Sequence, residues 1–249
     1  MNKYLEQLNK IEFVVTYACT GRCKHCSEGE HADGGEYINP EVAAEAVRRV
    51  AAVYRLETVM AFGGEPLLYP EAVYAIMTAA CEAGVPRRQV ITNGFFTKDP
   101  ARMREVACRL AACGVNDLLL SVDAFHQETI PLDTARAFAL AAVNCGIPVR
   151  LQPAWLTGPE ADNPYDRETR KTLASFADTG IPVGAGNTVF PEGNAQKYLS
   201  DYFTDNTPKN PYTEDPCVVK CLSVSPDGTL LGENIYTRDV MEILENYAP

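Results

Sequence analysis

The chain has 249 residues, of which 46% are hydrophobic, and its 22 Lys and Arg residues against 33 Asp and Glu residues give a formal net charge of −11. This length and composition allow a sizeable core, which excludes a disordered chain and a small scaffold held by disulfides. The acidic balance disfavours coating of nucleic acid or an anionic membrane, because both bind basic surfaces. The chain shows neither an apolar targeting segment nor an apolar run of membrane-spanning length, so we expect a cytoplasmic protein.

Short strands rich in β-branched residues alternate with longer segments of helical period, a pattern typical of a parallel sheet with crossover helices. In chain order we predict strand Ile11–Tyr17, helix Pro40–Tyr54, strand Thr58–Phe62, helix Tyr69–Ala83, strand Gln89–Thr92, helix Asp99–Cys113, strand Asp117–Val122, helix Leu132–Asn144, strand Val149–Ala154, helix Arg167–Thr179 and strand Val183–Val189. Six such repeats are too few for an eight-fold barrel. They predict an α/β fold with an open, partial (β/α)6 barrel.

The pattern changes after residue 190. Four prolines and several Asn and Asp residues make 190–220 loop-rich, and the following segments Leu222–Ser225 and Thr229–Leu231 predict a hairpin around Pro-Asp-Gly. A closing helix is predicted over Thr237–Asn246. We therefore expect a barrel domain over residues 1–190 and a short hairpin-plus-helix extension over 191–249.

The nine cysteines form unequal groups. An odd number without a secretion signal favours reduced thiols over a disulfide framework. The groups are a tight triplet (Cys19, Cys23, Cys26), a looser pair (Cys217, Cys221) and four scattered residues on predicted helices (Cys81, Cys108, Cys113, Cys145). We interpret the scattered four as small buried hydrophobic residues.

The triplet directly follows the first predicted strand. Three thiolates at this spacing can bind three irons of a [4Fe–4S] cluster and leave the fourth iron open. The alternative is a zinc site completed by His31, although structural zinc is usually closed by a fourth ligand at short spacing. His25 lies between two candidate ligands, which is awkward geometry for the same ion.

The segment Cys19-Thr-Gly-Arg-Cys23-Lys-His-Cys26 resembles the signature of the radical S-adenosylmethionine (SAM) enzymes, Cys-x3-Cys-x-aromatic-Cys. His25 occupies the aromatic position, and the resemblance implies that it lies near the adenine ring of SAM. Gly63-Gly64-Glu65-Pro66 follows the second strand and resembles the family's GGEP segment, which implies that Gly63, Gly64 and Glu65 hold the SAM amino group. An ordinary strand-to-helix turn is the alternative for this segment.

Two further strand ends resemble the family's SAM contacts. Thr92 and Asn93 end the third strand, while Ser121 and Asp123 end the fourth and lie on the same side of it by period-2 alternation. The resemblance implies contacts to the ribose and methionine parts of SAM, against the alternative of local capping. Arg150 on the fifth strand stands where many relatives have a cation for the SAM carboxylate, and an inward basic residue there needs a partner.

The resemblance covers residues 11–190 and implies a definite chemistry. One [4Fe–4S] cluster, reduced by a carrier such as flavodoxin or ferredoxin, passes an electron to SAM, and the resulting 5′-deoxyadenosyl radical abstracts hydrogen from a substrate. The expected protein is therefore a metal-binding radical SAM enzyme.

The C-terminal segment resembles the beginning of the SPASM or twitch extension of peptide-modifying relatives, through Cys217-Val-Val-Lys-Cys221 and Ser225-Pro-Asp-Gly228. No cysteine follows Cys221, and two thiolates cannot complete a second cluster, so we predict a single cluster. Cys217 and Cys221 are then remnants of a second site, packing residues, or a donor thiol, for which Cys217 is the candidate. Phe190–Ala195 also resembles a segment of these relatives, with Asn194 in place of a frequent arginine.

His126 follows the fourth strand, where an imidazole is a candidate substrate contact or general acid or base, against a structural role. The SPASM-like tail favours a ribosomally made peptide or a related small molecule as substrate, modified by oxidation, epimerisation or crosslinking. The alternatives are activation of a glycyl-radical enzyme, and a noncatalytic iron–sulfur or SAM-binding protein. The charge disfavours RNA modification.

Overall fold

Strands and helices alternate along the chain, and a computed structural model describes residues 2–32 and 34–249. The strands are β1 (Lys10–Val14), β2 (Thr58–Phe62), β3 (Arg87–Thr92), β4 (Asp117–Ser121), β5 (Val149–Gln152), β6 (Ala154–Trp155), β7 (Asn187–Thr188), β8 (Cys221–Val224), β9 (Thr229–Leu230) and β10 (Glu233–Asn234). The helices are α1 (Pro40–Ala51), α2 (Pro70–Glu82), α3 (Pro100–Ala112), α4 (Ala124–Gln127), α5 (Leu132–Asn144), α6 (Pro164–Ala174), α7 (Gly193–Tyr198) and α8 (Val240–Asn246).

The central element is a six-stranded sheet with the order β5-β4-β3-β2-β1-β8. All five pairings are parallel, so the carboxyl ends of the strands meet at one edge. The sheet is open, with β5 and β8 at its two ends, which confirms the predicted α/β fold with a partial barrel.

Alternation along β1 divides its side chains between two environments. Ile11 and Phe13 are fully buried in the core, whereas Lys10 and Glu12 form an ion pair on the other face. The core formed by the apolar residues of the sheet and its helices holds the strand ends in fixed positions. No helix in the described part of the chain combines the length and apolar character needed to cross a bilayer.

Five predicted helices lie within three residues of the observed bounds, whereas α6 begins at Pro164 and ends at Ala174, both earlier than predicted. Asn39 accepts hydrogen bonds from the backbone N–H groups of the first turn of α1, and Asp99 caps α3 in the same way. A proline follows each of these caps at the first helical position. Gly114 ends α3 with a φ of 86°, a left-handed conformation that favours glycine.

The C-terminal segment contains a hairpin and a closing helix, but the predicted pairing of its strands is wrong. β8 adds to the main sheet in parallel, with Lys10 opposite Cys221 and Phe13 opposite Val224, and β9 pairs with β10 instead. The Pro-Asp-Gly turn does form, through a hydrogen bond from Gly228 N to Ser225 O. Leu222 and Val224 become fully buried beside β1, and this burial favours the distant partner over the local one.

The predicted sixth strand is interrupted. Val183 bridges to Leu151, but regular pairing resumes only at β7, which pairs with β6. Gly186 lies between the two parts with a φ of 75°, and a Cβ there would lie 2.3 Å from the carbonyl oxygen of Pro153. The backbone turns at this glycine, so the strand is short.

The interpretation of the four scattered cysteines as buried and reduced is also wrong. Cys108 and Cys145 form a disulfide, with their Cα atoms 5.0 Å apart. Cys81 is exposed and Cys113 is half-buried. Helices α3 and α5 pack side by side, which brings Cys108 next to Cys145 just beyond the end of α5.

Candidate active site

A cleft of about 240 Å³ lies at the carboxyl edge of the sheet, where the loops after β1 to β5 converge. The strands contribute residues from their last positions, and the segment around β7 forms the opposite wall. The residues that line it include Cys19, Gly21, Cys23, His25, Cys26, Glu28, His31, Phe62, Gly63, Gly64, Thr92, Asn93, Ser121, His126, Gln152, Asn187, Thr188, Phe190 and Tyr212.

The three cysteines of the first loop all line this cleft. A Cβ at Gly21 would lie 3.3 Å from the Cys23 Sγ and 3.6 Å from the Cys19 Sγ, so both sulfurs face the same small residue. Burial, with a further contribution from Glu65, raises the pKa of Cys19 to about 11. Burial, the carboxylate of Asp123 and the neighbouring thiols also raise the pKa of Cys23.

These thiols therefore lie in surroundings that disfavour negative charge unless a cation is bound. An iron cluster supplies positive charge to its thiolate ligands, and three cysteines on one loop provide three of the four ligands that a cube needs. The donor set fits a [4Fe–4S] cluster with one iron left for another ligand.

Nitrogen atoms approach two of the three sulfurs. The backbone N–H of Gly21 donates to the Cys19 Sγ at 3.3 Å, and the Asn93 side chain lies 3.6 Å from the same sulfur. His31 Nε2 lies 3.0 Å from the Cys26 Sγ, while its Nδ1 lies 2.7 Å from the carbonyl oxygen of Tyr17. Hydrogen bonds to ligand sulfurs are one of the factors that set the potential of such clusters.

Helix α7 holds the cysteine loop from the side. The backbone N–H of Asn194 donates to Cys26 O at 2.8 Å, and its side-chain amide donates to Cys23 O at 3.2 Å. A Cβ at Gly193 would lie 2.3 Å from the carbonyl oxygen of Ser27, so only glycine allows this approach. The sequence resemblance singled out Asn194 but gave no sign of these contacts.

The glycines of the Gly-Gly-Glu-Pro turn pack against the chain after β1. A Cβ at Gly63 would lie 2.5 Å from Thr16 O, and one at Gly64 would lie 2.1 Å from Ala18 O. Gly64 N also donates to Thr16 O at 2.7 Å. The turn therefore requires glycine at both positions, and both line the cleft.

Glu65 points into the protein and is fully buried. Its carboxylate accepts hydrogen bonds from Leu67 N at 2.9 Å, Thr92 Oγ1 at 2.7 Å and Asn93 N at 2.8 Å. Burial raises its pKa to about 7, although these three donors oppose the shift. The carboxylate thus links the turn after β2 to the end of β3.

Asp123 has a similar inward role at the end of β4. It is fully buried and accepts hydrogen bonds from Phe125 N, His126 N and Ala154 N, each at 2.9 Å. Its second oxygen lies 2.7 Å from His126 Nδ1. Burial alone would raise the pKa of Asp123, but His126 and the backbone donors lower it to about 2.

His25 and His126 meet at the wall of the cleft. Their ring centroids are 4.8 Å apart, and the ring of Phe125 lies 4.9 Å from that of His25. Burial, together with the neighbouring His126, lowers the pKa of His25 to about 4. His25 is therefore held as a neutral imidazole near neutral pH.

Two predicted site residues lie elsewhere. The guanidinium of Arg150 makes two hydrogen bonds of 2.9 Å to Asp117, the first residue of β4, and so points away from the cleft. Cys217 is exposed and precedes β8, whose first residue pairs with the first residue of β1 at the opposite edge of the sheet. The structure does not bring either residue into the cleft.

Sequence reasoning missed the wall of the cleft opposite the cysteine loop, here called the outer wall, which is formed by Gln152, Asn187, Thr188 and Tyr212. Gln152 lines it, and alternation from Arg150 along the predicted fifth strand could have identified this residue. Asn187, Thr188 and Tyr212 also line it. They lie in short or irregular segments, where no periodic pattern reports the direction of a side chain.

Comparisons with known proteins agree with this geometry. A family model described as the radical SAM superfamily matches residues 13–148. A probable GTP 3',8-cyclase of Saccharolobus islandicus (strain L.S.2.15 / Lassen #1) is 25% identical over 219 residues, covering 81% of this chain and 67% of that protein.

Two solved structures share the fold. The crystal structure of Streptococcus suis SuiB bound to S-adenosylmethionine superposes with a TM-score of 0.64 and 14% identity, covering 97% of this chain and 66% of SuiB. The native anSMEcpe structure with bound AdoMet gives a TM-score of 0.58 at 14% identity, covering 93% of this chain and 76% of that one. The chain thus spans about two thirds of the cyclase and of SuiB.

Proposed function

The chain belongs to the radical SAM superfamily, and is thus an enzyme that uses a [4Fe–4S] cluster and SAM, and on this basis we propose that Cys19, Cys23 and Cys26 hold the cluster. When bound, the reduced cluster and SAM together supply a 5′-deoxyadenosyl radical that abstracts hydrogen from the substrate. The cysteine loop binds the cluster, and the surrounding residues exclude water from it.

The residues at the strand ends form the proposed SAM site. Gly63 and Gly64 allow close approach to the backbone after β2, and Thr92, Asn93 and Ser121 offer polar groups beside it. Glu65 and Asp123 act as positioning residues, because their carboxylates are occupied by hydrogen bonds from the protein itself. His25 is proposed to lie against the adenine ring.

We propose a peptide, or a related small molecule rich in amides, as the substrate. The observation that carries this proposal is the outer wall, where Gln152, Asn187 and Thr188 offer amide and hydroxyl groups that pair with peptide N–H and C=O groups. The solved structure of SuiB bound to its precursor peptide SuiA, which shares this fold, supports it. Oxidation, epimerisation and crosslinking all begin with the same hydrogen abstraction.

A GTP cyclase-like activity is the second candidate, favoured by the 25% identity to probable GTP 3',8-cyclases. Triphosphates are bound by Arg and Lys side chains. Apart from the histidines, the charged side chain among the described residues that line this cleft is Glu28. Its carboxylate repels a phosphate group. The lining therefore favours the peptide.

The proposal includes a low-potential electron carrier. A reductant such as flavodoxin or ferredoxin would supply the electron, and the cytoplasm is the proposed compartment. His126 is proposed to contact the substrate, since its ring lies on the cleft wall.

The test is anaerobic incubation of the reconstituted protein with dithionite and SAM, followed by measurement of 5′-deoxyadenosine. We expect product above the level of a Cys23→Ala variant, and stimulation by a small peptide encoded beside this gene. GTP in a parallel reaction should be recovered unchanged. Conversion of GTP would overturn the peptide proposal, and product no higher than that of Cys23→Ala would overturn the cluster assignment.

A further inference from the structure

One cysteine and two histidines, Cys23, His25 and His126, lie close together at the wall of the cleft. This set of potential metal ligands differs from the three cysteines of the loop. The Cys23 Sγ and one ring nitrogen each of His25 and His126 all lie within 4.8 Å of one another. Cys23 is buried in the loop after β1, whereas His126 comes from α4 after β4. Two separate elements thus supply one thiol and two imidazoles to a single point, an arrangement that the spacing of Cys23 and His25 in the sequence did not suggest.

The surroundings of His126 suit a metal ligand. Its Nδ1 lies 2.7 Å from a carboxylate oxygen of Asp123, which is itself fixed by three backbone N–H groups. Histidines that bind metals commonly have their second nitrogen hydrogen-bonded to a carboxylate, which sets the tautomer and the ring orientation. Nε2 is the nitrogen left to bind.

His25 provides a separate observation. Its Nδ1 is buried and has no hydrogen-bond partner among the described residues. A buried polar atom without a partner costs about 1–3 kcal/mol, so it points to a missing ligand. The Phe125 ring, 4.9 Å away, packs against the imidazole and limits its orientations.

We propose that the cluster-free protein binds one Zn²⁺ ion through Cys23, His25 and His126, with the fourth position open. One thiolate and two imidazoles are a donor set that suits zinc, and binding releases the thiol proton of Cys23 to solvent. Zinc–ligand distances of about 2.0–2.3 Å place the donors of a tetrahedral ion roughly 3.5 Å apart. Because the three ligand atoms already lie within 4.8 Å of one another, side-chain shifts on the order of 1 Å close the site.

Zinc and the iron–sulfur cluster would exclude each other at Cys23. Zinc binding itself stands on the geometry of these three residues, whereas the exclusion rests on the proposed function. A chain that holds zinc at Cys23 would therefore not assemble the cluster until the zinc is removed.

Cobalt titration of the metal-free protein tests the site, because Co²⁺ reports thiolate ligation and tetrahedral geometry in its absorption spectrum. We expect one equivalent of Co²⁺ with a thiolate charge-transfer band, and displacement by Zn²⁺. The variants Cys23→Ala, His25→Ala and His126→Ala should each lose this spectrum. Cys19→Ala and Cys26→Ala are the matched controls and should keep it.

The opposite pattern would overturn the proposal. Loss in Cys19→Ala and Cys26→Ala with retention in both histidine variants would assign the ion to the three thiols. Absence of stoichiometric binding in the unchanged protein would reject any such site. Circular dichroism of each variant identifies loss of folding, and Asp123→Asn adds a second measurement, with affinity expected to fall by about 10–100-fold while the cobalt spectrum persists.

Competition is measured separately by anaerobic reconstitution of zinc-loaded and metal-free protein. Zinc-loaded protein should incorporate less iron, and EDTA should restore incorporation. Equal iron uptake by both forms would reject the exclusion at Cys23. Failure of the metal-free protein to assemble a cluster, alongside normal cobalt binding, would instead contradict the proposed function and leave the zinc site intact.

Discussion

Glu65 shows how a residue of the site acts without facing the cleft. Its carboxylate accepts three hydrogen bonds and has no exposed surface, and it joins the ends of β2 and β3. The sequence resemblance implied that Glu65 holds the SAM amino group, and the structure places it directly after Gly63 and Gly64, which line the cleft. The direction of its side chain depends on residues brought close only by folding, so the sequence could not reveal it.

A Glu65→Gln substitution should weaken SAM binding and also lower the free energy of unfolding. Gln replaces one of the two carboxylate oxygens with an NH2 group, so a buried donor on that side, such as the backbone N–H of Asn93, loses its acceptor, which costs about 1–3 kcal/mol. Denaturant unfolding of the cluster-free protein measures the stability, and equilibrium binding to the reconstituted protein measures SAM affinity. Unchanged stability with lost SAM affinity would mean that Glu65 contacts SAM directly.

His25 gives a prediction about pH. Its pKa falls from 6.5 to about 4 in the folded chain, so the unfolded chain binds more protons between these values. Its contribution to stability is therefore complete above pH 6.5 and is lost as the pH falls towards 4, by at most about 1.4 kcal/mol per pH unit.

The substitution His25→Phe should flatten this part of the stability curve in the cluster-free, metal-free protein. Denaturant midpoints measured at intervals from pH 7 to pH 4 provide the comparison. Phenylalanine keeps a ring against Phe125, so packing changes little. An equally steep curve in the variant would assign the pH dependence to another group.

At the scale of the elements, α7 supports a loop that lies far from it in sequence. Asn194 is buried and donates to the carbonyl oxygens of Cys23 and Cys26. The region was predicted only as a loop-rich segment, because a six-residue helix has too few turns to show a helical period.

Asn194→Ala should lower cluster retention. It leaves the Cys23 carbonyl without its side-chain donor, so the loop geometry loosens. Iron content after reconstitution and the decay of cluster absorbance in air are the measurements, with Asn194→Gln as a partial rescue. Lys197→Ala, on the same helix, is the control. It removes an exposed ion pair with Glu30 and should behave like the unchanged protein. If Asn194→Ala retained the cluster as well as the unchanged protein does, α7 would not stabilise the cysteine loop.

β8 illustrates the limit of local pattern. Its residues were correctly predicted as a strand, but its partner was not. Pairing with β1 joins residues more than 200 positions apart, whereas a turn pattern indicates pairing only between strands that are adjacent in sequence. The same holds for β7, where the break at Gly186 depends on the nearby Pro153 carbonyl.

Leu222→Ala should lower the free energy of unfolding by about 2–5 kcal/mol, because Leu222 is fully buried beside β1. Ser223→Ala on the opposite, exposed face of the same strand should change it little. Denaturant unfolding of the two variants under identical conditions gives the comparison. Equal, small losses in both would indicate that β8 does not pack in the core.

In the molecule as a whole, the parallel sheet explains why most of the predicted residues lie together at one edge. Strand ends in a parallel sheet meet at one edge, so polar residues directly after β1 to β4 converge whatever their distance in sequence. No such rule predicts the position of residues on irregular segments, such as Tyr212. Arg150 lies on a strand of the sheet as predicted, but its guanidinium binds Asp117 on the neighbouring strand.

The proposed function depends on one iron–sulfur cluster on Cys19, Cys23 and Cys26 that keeps an iron open for SAM. The most direct measurement is the electron paramagnetic resonance spectrum of the dithionite-reduced, reconstituted protein before and after addition of SAM, with iron quantified in the same sample. We expect about four irons per chain and a spectrum that changes when SAM is added. A spectrum that SAM leaves unchanged, or an iron content near eight per chain, would contradict it.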